Sequence, residues 1–503
     1  MRDVALASGI AAIALCACTV EAPGDDADAS IAPFDAGADA GRGYLVFFDE
    51  GLDEAIERRF ESAMPASSEP PRIVYPENGT LVPPNLVGVD VHFTGRTYDT
   101  FELTFSQRGA RAIVVYAWCR PVGSGCVLQP WDEVWSALAS RRNMGPFEMR
   151  MRGLAGERVS APSERVELEL AQEAIQGALY FWSTDPPSIR RYDFALGRRS
   201  SELYLSQTEE GTCVGCHAIS RDGSRIAVGV YDATNGFRAR IYDVATRSQV
   251  LASEIDAPLP AYGAADDLLV SGSPPPADGM DRPLRIVSGA DGRVLHEFGV
   301  SGVSADWSPD GSRVVFEGAI DAETRALQLI ARSGEAWGAP TVIETAGTEE
   351  EHGPAFAPDS EWIGYTGRVD ARSVLVATRG SDVPPVVLQR ALGASTDATW
   401  IRWNPSPYLQ QGRRIYWLTF SSGRAHGVVD GGERQIWIAA FDPEADADDP
   451  SRPALRFPGQ RGDVDNFIAE WTTEARRQPC EDDDDCPAGE VCVDGFCFPE
   501  GPE

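Results

Sequence analysis

The 503-residue chain has no lysine; its 44 basic side chains are all arginine, set against 77 aspartates and glutamates for a formal net charge of -33. So acidic a balance argues against nucleic acid and anionic lipid surfaces as partners, and its plainest use is solubility. Histidine is scarce, with five in the chain, which leaves few side chains to ligate a metal or titrate near neutral pH. Hydrolytic signatures are missing as well: there is no G-x-S-x-G elbow and no H-E-x-x-H, so a hydrolase has no recognisable machinery. An enzyme built from dispersed residues stays open, but nothing speaks for one. The apolar run over residues 4–15 is too short to cross a bilayer.

That run reads instead as an export signal. Arg2 supplies a small positive start, Asp3 partly offsets it, and the apolar stretch comes directly after. It ends in Leu15-Cys16-Ala17-Cys18, which resembles a bacterial lipobox with Cys18 as the lipidated residue. Cys16 fits less well because bulky Leu15 precedes it, and a plain secretory signal is the simpler alternative. The expectation is residues 1–18 as signal and a membrane attachment through lipid alone. Thr19 after the cysteine points to the outer membrane of a Gram-negative cell, and otherwise to the periplasm or cell surface. Residues 19–43 are rich in Ala, Asp, Gly and Pro and cannot bury enough surface to fold, so they read as an acidic tether.

Length forbids a single core, and two or three domains are expected. With 49 glycines and 36 prolines between short apolar runs, the chain reads as mostly β. Residues 44–68 form a short helical segment, with Leu52, Ile56 and Phe60 at helical spacing. Residues 69–173 hold several strands separated by turns such as Asn78-Gly79, plus one helical patch at WDEVWSALASRRN. That pattern predicts a β-sandwich of immunoglobulin or fibronectin type, with Cys119 and Cys126 closing a short loop as a disulfide.

The densest chemistry lies at Cys213, Cys216 and His217, which spell C-x-x-C-H, the attachment sequence of a c-type haem. Two thiols at this spacing can add to the two vinyl groups of one porphyrin, and the adjacent imidazole reaches the iron as proximal ligand. A Cys213–Cys216 disulfide or two plain thiols are the bland alternatives. Zinc is weaker, since no second C-x-x-C supplies the rest of a site. The motif runs into a turn and a strand where soluble cytochromes start a helix, so a small helical cytochrome fold is not expected.

The same turn-plus-strand returns. SRDGSRIAVG, YGAADDLLVSG, DWSPDGSRVVFEG, AFAPDSEWIGYTG and RWNPSPYLQQGRRIYWLTF start from Ser220, Tyr262, Asp306, Ala355 and Arg402. From Ser220 through Ala264, Pro309, Pro358 and Pro405 the steps are 44, 45, 49 and 47 residues, the period of propeller blades. WSPDG with an apolar strand after it resembles the TolB-type six-bladed propeller and its short repeat, over residues 174–475. The resemblance implies that ALYFWSTDPPSIRRYDF supplies the outer strands of a sixth blade and DVDNFIAEWT its inner strand. Some exported bacterial propellers of this kind carry C-x-x-C-H beside their first repeat, and the chain is similar to those.

A haem at His217 raises the question of a sixth ligand. The pool includes His92, His296, His352, His426 and Met280 among others, and His352 ranks first because it precedes the inner strand of a blade; His426 ranks second. The tail, residues 479–499, is a disulfide module in which Cys480, Cys486, Cys492 and Cys497 allow three pairings. Its acidic run, residues 482–485, reads as a solvated loop, with calcium as the lesser alternative. The expected function is an exported, lipid-anchored propeller with one covalent haem c, acting in electron transfer or redox sensing. The alternative is a haem-free scaffold that binds a protein or an envelope polymer. The redox partner or envelope partner is unknown.

Overall fold

A computed structural model describes residues 43–499 apart from 207–212, 233–235, 252–254, 256–258, 264–266, 272–282, 321–323, 344, 346–347, 381–383, 446–447 and 488. The signal, the tether, Cys16, Cys18 and Met280 lie outside the described residues. Among the described residues no helix is long and apolar enough to cross a membrane.

The first domain is a pair of facing sheets. One holds Thr100–Ser106, Ala112–Trp118 and Phe147–Ala155 at its centre; the other runs Ile73–Tyr75, Val91–Phe93, Gly125–Leu128 and Arg120–Val122. Strand alternation builds the core between them: Phe101, Leu103 and Phe105 point inward, as do Phe147, Met149 and Met151, and all are buried against Phe93 and Tyr75. The Cys119–Cys126 disulfide ties the second sheet to the loop that feeds it.

Residues 44–68 are not a separate segment as the sequence suggests. Tyr44–Phe48 pairs in parallel with Ala112–Trp118, and Met64–Pro65 pairs with Arg158–Val159. Between them α1, Glu54–Ser62, starts on an Asp53 side chain that accepts the Ala55 N–H. It lays Ile56 and Phe60 on Val114, Tyr116 and Leu154, the outward face of the large sheet. The helix is thus a lid on an apolar face that alternation alone would leave in water. A second helix, α2, Asp132–Ala139, buries Val134, Trp135 and Leu138 in the main core.

The second domain is a ring of six blades. Blade 1 is Cys213–Ile219, Arg225–Asp232 and Gly236–Asp243; blade 4 is Glu349–Phe356, Ile363–Val369, Arg372–Thr378 and Val386–Val387; blade 5 is built on Thr399–Trp403, Arg413–Ser422 and Gln435–Phe441. Blades 2 and 3 share one long strand, Val294–Trp307, whose first half pairs outward with Pro283–Val287 and whose second half pairs with Arg313–Ala319. The first, third, fourth and fifth repeats read in the sequence each supply the turn between a blade's inner strand and the next. In the first and third repeats the turn is built alike: Ser220 and Ser308 hydroxyls donate to Asp222 and Asp310 and accept the N–H of Arg225 and Arg313. Gly223 and Gly311 take left-handed φ of 71° and 72° there, which suits glycine.

Blade 6 closes the ring. Asn466–Trp471 pairs with Ala178–Thr184, which continues into Pro187–Asp193 and Glu202–Ser206. The last inner strand therefore comes from the far end of the domain. The tail then docks on this blade through Arg477, buried against Asp193 at 3.2 Å and Glu202 at 2.9 Å. Its two disulfides are Cys480–Cys492 and Cys486–Cys497, one of the three pairings the spacing allows. The acidic run 482–485 is a short 3-10 turn whose carboxylates accept backbone N–H groups of Glu481, Asp484 and Cys492.

Trp471 measures how much closure matters. It is buried, stacks on Phe194 with ring centroids 5.4 Å apart, and donates its indole N–H to Thr419 Oγ1 at 3.1 Å. Trp471→Ala should destabilise the chain by about 3–5 kcal/mol, read as a lower midpoint in urea; an unchanged midpoint would show that the ring holds without this strand.

Candidate functional site

The inner strands set out a channel wall with a regular device. In five of them the register slips next to the same place: between Val214 and His217, Val303 and Asp306, His352 and Ala355, Thr399 and Arg402, and opposite Tyr180–Trp182 in the closing blade. Four of these bulges carry a left-handed residue at the matching position: Ser304 (φ 48°), Gly353 (60°), Trp400 (58°) and Ile468 (49°). A β-branched or bulky side chain rarely adopts this conformation. The bulge re-aims the residues after it.

What is re-aimed becomes a ring. Counting back from each turn, the register puts Ala218, Ala261, Asp306, Ala355, Arg402 and Glu470 at one level, and all six line a cavity of about 90 Å³. Three are alanine and three are charged. Arg402 Nε donates to Glu470 Oε1 at 2.6 Å. Asp306 accepts the Phe356 N–H at 2.6 Å, and burial pushes its carboxyl above the ordinary value of 3.8, against the pull of that hydrogen bond and of Arg221 and Arg402. Arg221 lines the same cavity with its Nε buried and without a hydrogen-bond partner. None of these charges stands out in the sequence, because an Asp or Arg two residues before a turn looks like any surface charge until the register is known.

His217 sits beside this ring on blade 1. It is buried, and its Nε2 lies 3.3 Å from the carbonyl oxygen of Tyr180 in the closing blade. Its Nδ1 is buried and meets no partner in hydrogen-bonding geometry. Burial pushes its pKa down, opposed chiefly by Glu470 and the Tyr180 and Gly215 backbone. Burial therefore favours the neutral imidazole, with Nε2 held by the Tyr180 carbonyl. Cys216, inside the bulge between Val214 and His217, is half-buried. The backbone of Cys213 pairs with Tyr231, and its side chain lies outside what is described.

The other histidines go elsewhere. His352 is on an inner strand, as the repeat suggests, but its Nδ1 lies 3.1 Å from the Glu350 carbonyl and it does not line the cavity that His217 lines. His296 packs edge-on against Phe298, 4.7 Å between ring centroids. His92 and His426 meet each other between the sandwich and blade 5, 4.3 Å apart, where burial, with His92, Arg456 and Arg424 beside it, pushes His426 down to about 2.

Among solved structures the chain is similar to TolB from Acinetobacter baumannii, at 11% identity over 65% of this chain and 79% of that one, with a TM-score of 0.43. It is also similar to a putative TolB from Agrobacterium tumefaciens, at 12% identity over 59% and 98%, TM-score 0.35. A third is the β-propeller domain of the trilobed protease from Pyrococcus furiosus, at 14% over 61% and 81%, TM-score 0.30. No family model and no curated protein matches the chain. The propeller assignment therefore rests on the strand pairing itself.

Asp306 gives a test with a definite sign. Its folded pKa is raised, so its contribution to stability is complete below 3.8 and is lost as pH rises through the folded value. Asp306→Asn, which keeps an acceptor for the Phe356 N–H, should raise the melting temperature at pH 7 and lose that advantage near pH 3. Equal melting temperatures at pH 7 would mean the carboxylate is not strained there.

Proposed function

We propose that the chain is an exported β-propeller carrying one covalently attached c-type haem, and that it passes electrons or senses redox state in the cell envelope. Cys213 and Cys216 would hold the group by thioethers, and His217 would be its proximal ligand. When bound, such a group supplies reversible one-electron chemistry. The observation that supports the reading is the imidazole of His217. A buried ring nitrogen with no partner costs free energy, and a histidine anchored by a backbone carbonyl on one nitrogen and open on the other is how metal-ligating histidines are commonly oriented. Glu470 and Arg402 beside it set the local charge, and Tyr180 fixes the ring. Export is supported by the three disulfides among the described residues, which persist in oxidising compartments, and such compartments are where c-type haem is attached.

One observation favours the second reading, a haem-free scaffold whose channel or sandwich binds a protein or an envelope polymer. The cavity beside His217 is about 90 Å³, well short of the roughly 300 Å³ at which small-molecule sites begin. A porphyrin at His217 would displace the side chains that line it.

Expression with a cytochrome c maturation system and a pyridine haemochrome spectrum of the product separate the two. The first reading expects one covalent haem per chain that survives denaturation and disappears in Cys213→Ala/Cys216→Ala. A colourless wild-type protein leaves only the scaffold. The anchor is tested independently: Cys18→Ser should move the protein from the membrane fraction to the soluble fraction, and a variant still held at the membrane would rule out the lipobox.

A further inference from the structure

Three side chains from both domains converge where the sandwich meets blade 5, away from the channel. We propose that Asp90, His92 and His426 form a binding site for a divalent transition metal of the zinc class. Their ligand atoms all lie within 4.8 Å of one another, and His92 Nε2 is 3.7 Å from Asp90 Oδ2. His92 is 2% exposed. Its Nδ1 lies 2.9 Å from the carbonyl oxygen of His426. The Val428 N–H also faces Nδ1, at the longer distance of 3.4 Å; donation of Nδ1–H to the nearer carbonyl leaves the Nε2 lone pair on the Asp90 side, as ligating histidines are held.

Two further atoms are buried with no hydrogen-bond partner, Asp90 Oδ1 and His426 Nε2. One carboxylate oxygen and one imidazole nitrogen left unsatisfied at the same spot carry a cost that a cation would remove. The nearest cations are turned to other tasks. Arg424 lies over Trp437, 3.7 Å from the ring centroid, and donates to the Ala391 and Leu392 carbonyls. Arg456 donates to Gln435.

The backbone is shaped for this approach. Gly427, next to His426, has φ 60°, and a Cβ there would fall 2.4 Å from His92 Nδ1. Only glycine lets the blade 5 loop lie flat on His92. Two imidazoles and one carboxylate suit zinc with an open fourth position; calcium and magnesium prefer all-oxygen sites, and copper(I) prefers sulfur. Zinc bonds of about 2.0–2.2 Å place tetrahedral donors roughly 3.3 Å apart, so small side-chain rotations close the site. A bound ion would link strand Val91–Phe93 of the sandwich to a loop of the propeller.

The test uses the full chain stripped with EDTA, in wild-type form and as Cys213→Ser/Cys216→Ser so that the thiolates of the C-x-x-C-H run contribute nothing. Titration with Zn²⁺ by calorimetry, and with Co²⁺ monitored through its visible bands, should show one equivalent bound in both forms. Asp90→Asn and His426→Gln should each weaken Zn²⁺ binding by about tenfold or more. No stoichiometric binding, or binding that neither variant weakens, overturns the proposal. Should His426→Gln fail to fold, Asp90→Asn, which keeps the side-chain shape, decides alone.

Discussion

The strand pair that closes the ring, Asn466–Trp471 on Ala178–Thr184, is the constraint on which the rest depends. It joins residues about 290 positions apart in sequence, so closing it costs more loop entropy than any pairing within a blade. It also builds the site. Tyr180 and Glu470 are register partners in this pair; the carbonyl of the first holds His217 and the charge of the second acts on it. Arg402 from blade 5 reaches the same Glu470. Until the two ends meet, His217 has neither its anchor nor its neighbour, and the channel has a gap where its carboxylate belongs.

The bulges turn a repeated strand into a lined channel. Each costs a register slip, and three of the left-handed positions carry Ser304, Trp400 and Ile468 in place of glycine. A residue in this region costs of order 1–3 kcal/mol, yet the device recurs around the ring. What it achieves is uniform aim: one residue per blade faces the axis at one height. Evolution of such a wall needs only single substitutions at six positions. Here alanine fills half of them, and Asp306, Arg402 and Glu470, on blades 3, 5 and 6, fill the rest, with Arg402 and Glu470 acting on His217.

The blades are legible in the sequence because their turns share a chemistry: Asp222, Asp310 and Asp359 each cap their own turn, followed by a residue at positive φ that is glycine in the first and third repeats and Ser360 in the fourth. The sixth blade is legible because its pieces resemble a known closure. The ring of charges is not, since bulges leave no residue signature and shift the inward face by one position. The segment 44–68 misleads for a related reason. Phe47 and Phe48 read as a brief apolar run, but a parallel edge strand is specified by its partner, Ala112–Trp118, and not by its own residues. His352 shows the limit of reasoning from position in a repeat: its strand is the expected one, but the register sets it level with Gly215 and not with His217, and its Nδ1 lies beside the Glu350 carbonyl.

Residues 473–477 act as a latch across the seam. Thr473 donates its N–H to the Arg221 carbonyl of blade 1 at 2.8 Å. Arg476 reaches Asp222 in the same turn at 3.1 Å. Arg477 then dives between Asp193 and Glu202 of blade 6, where, although burial pulls Glu202 upward, Arg191 and Arg477 hold its carboxyl below the ordinary value. Buried ion networks of this kind are poor sources of net stability but strong determinants of register, and register is what a seam needs. The tail beyond is too small to hold a core without cross-links, and its two disulfides supply them, while Glu490 pairs with Arg247 of blade 1. Because the latch touches both blades that flank the seam and leads directly into the cross-linked tail, reduction of the tail should loosen ring closure.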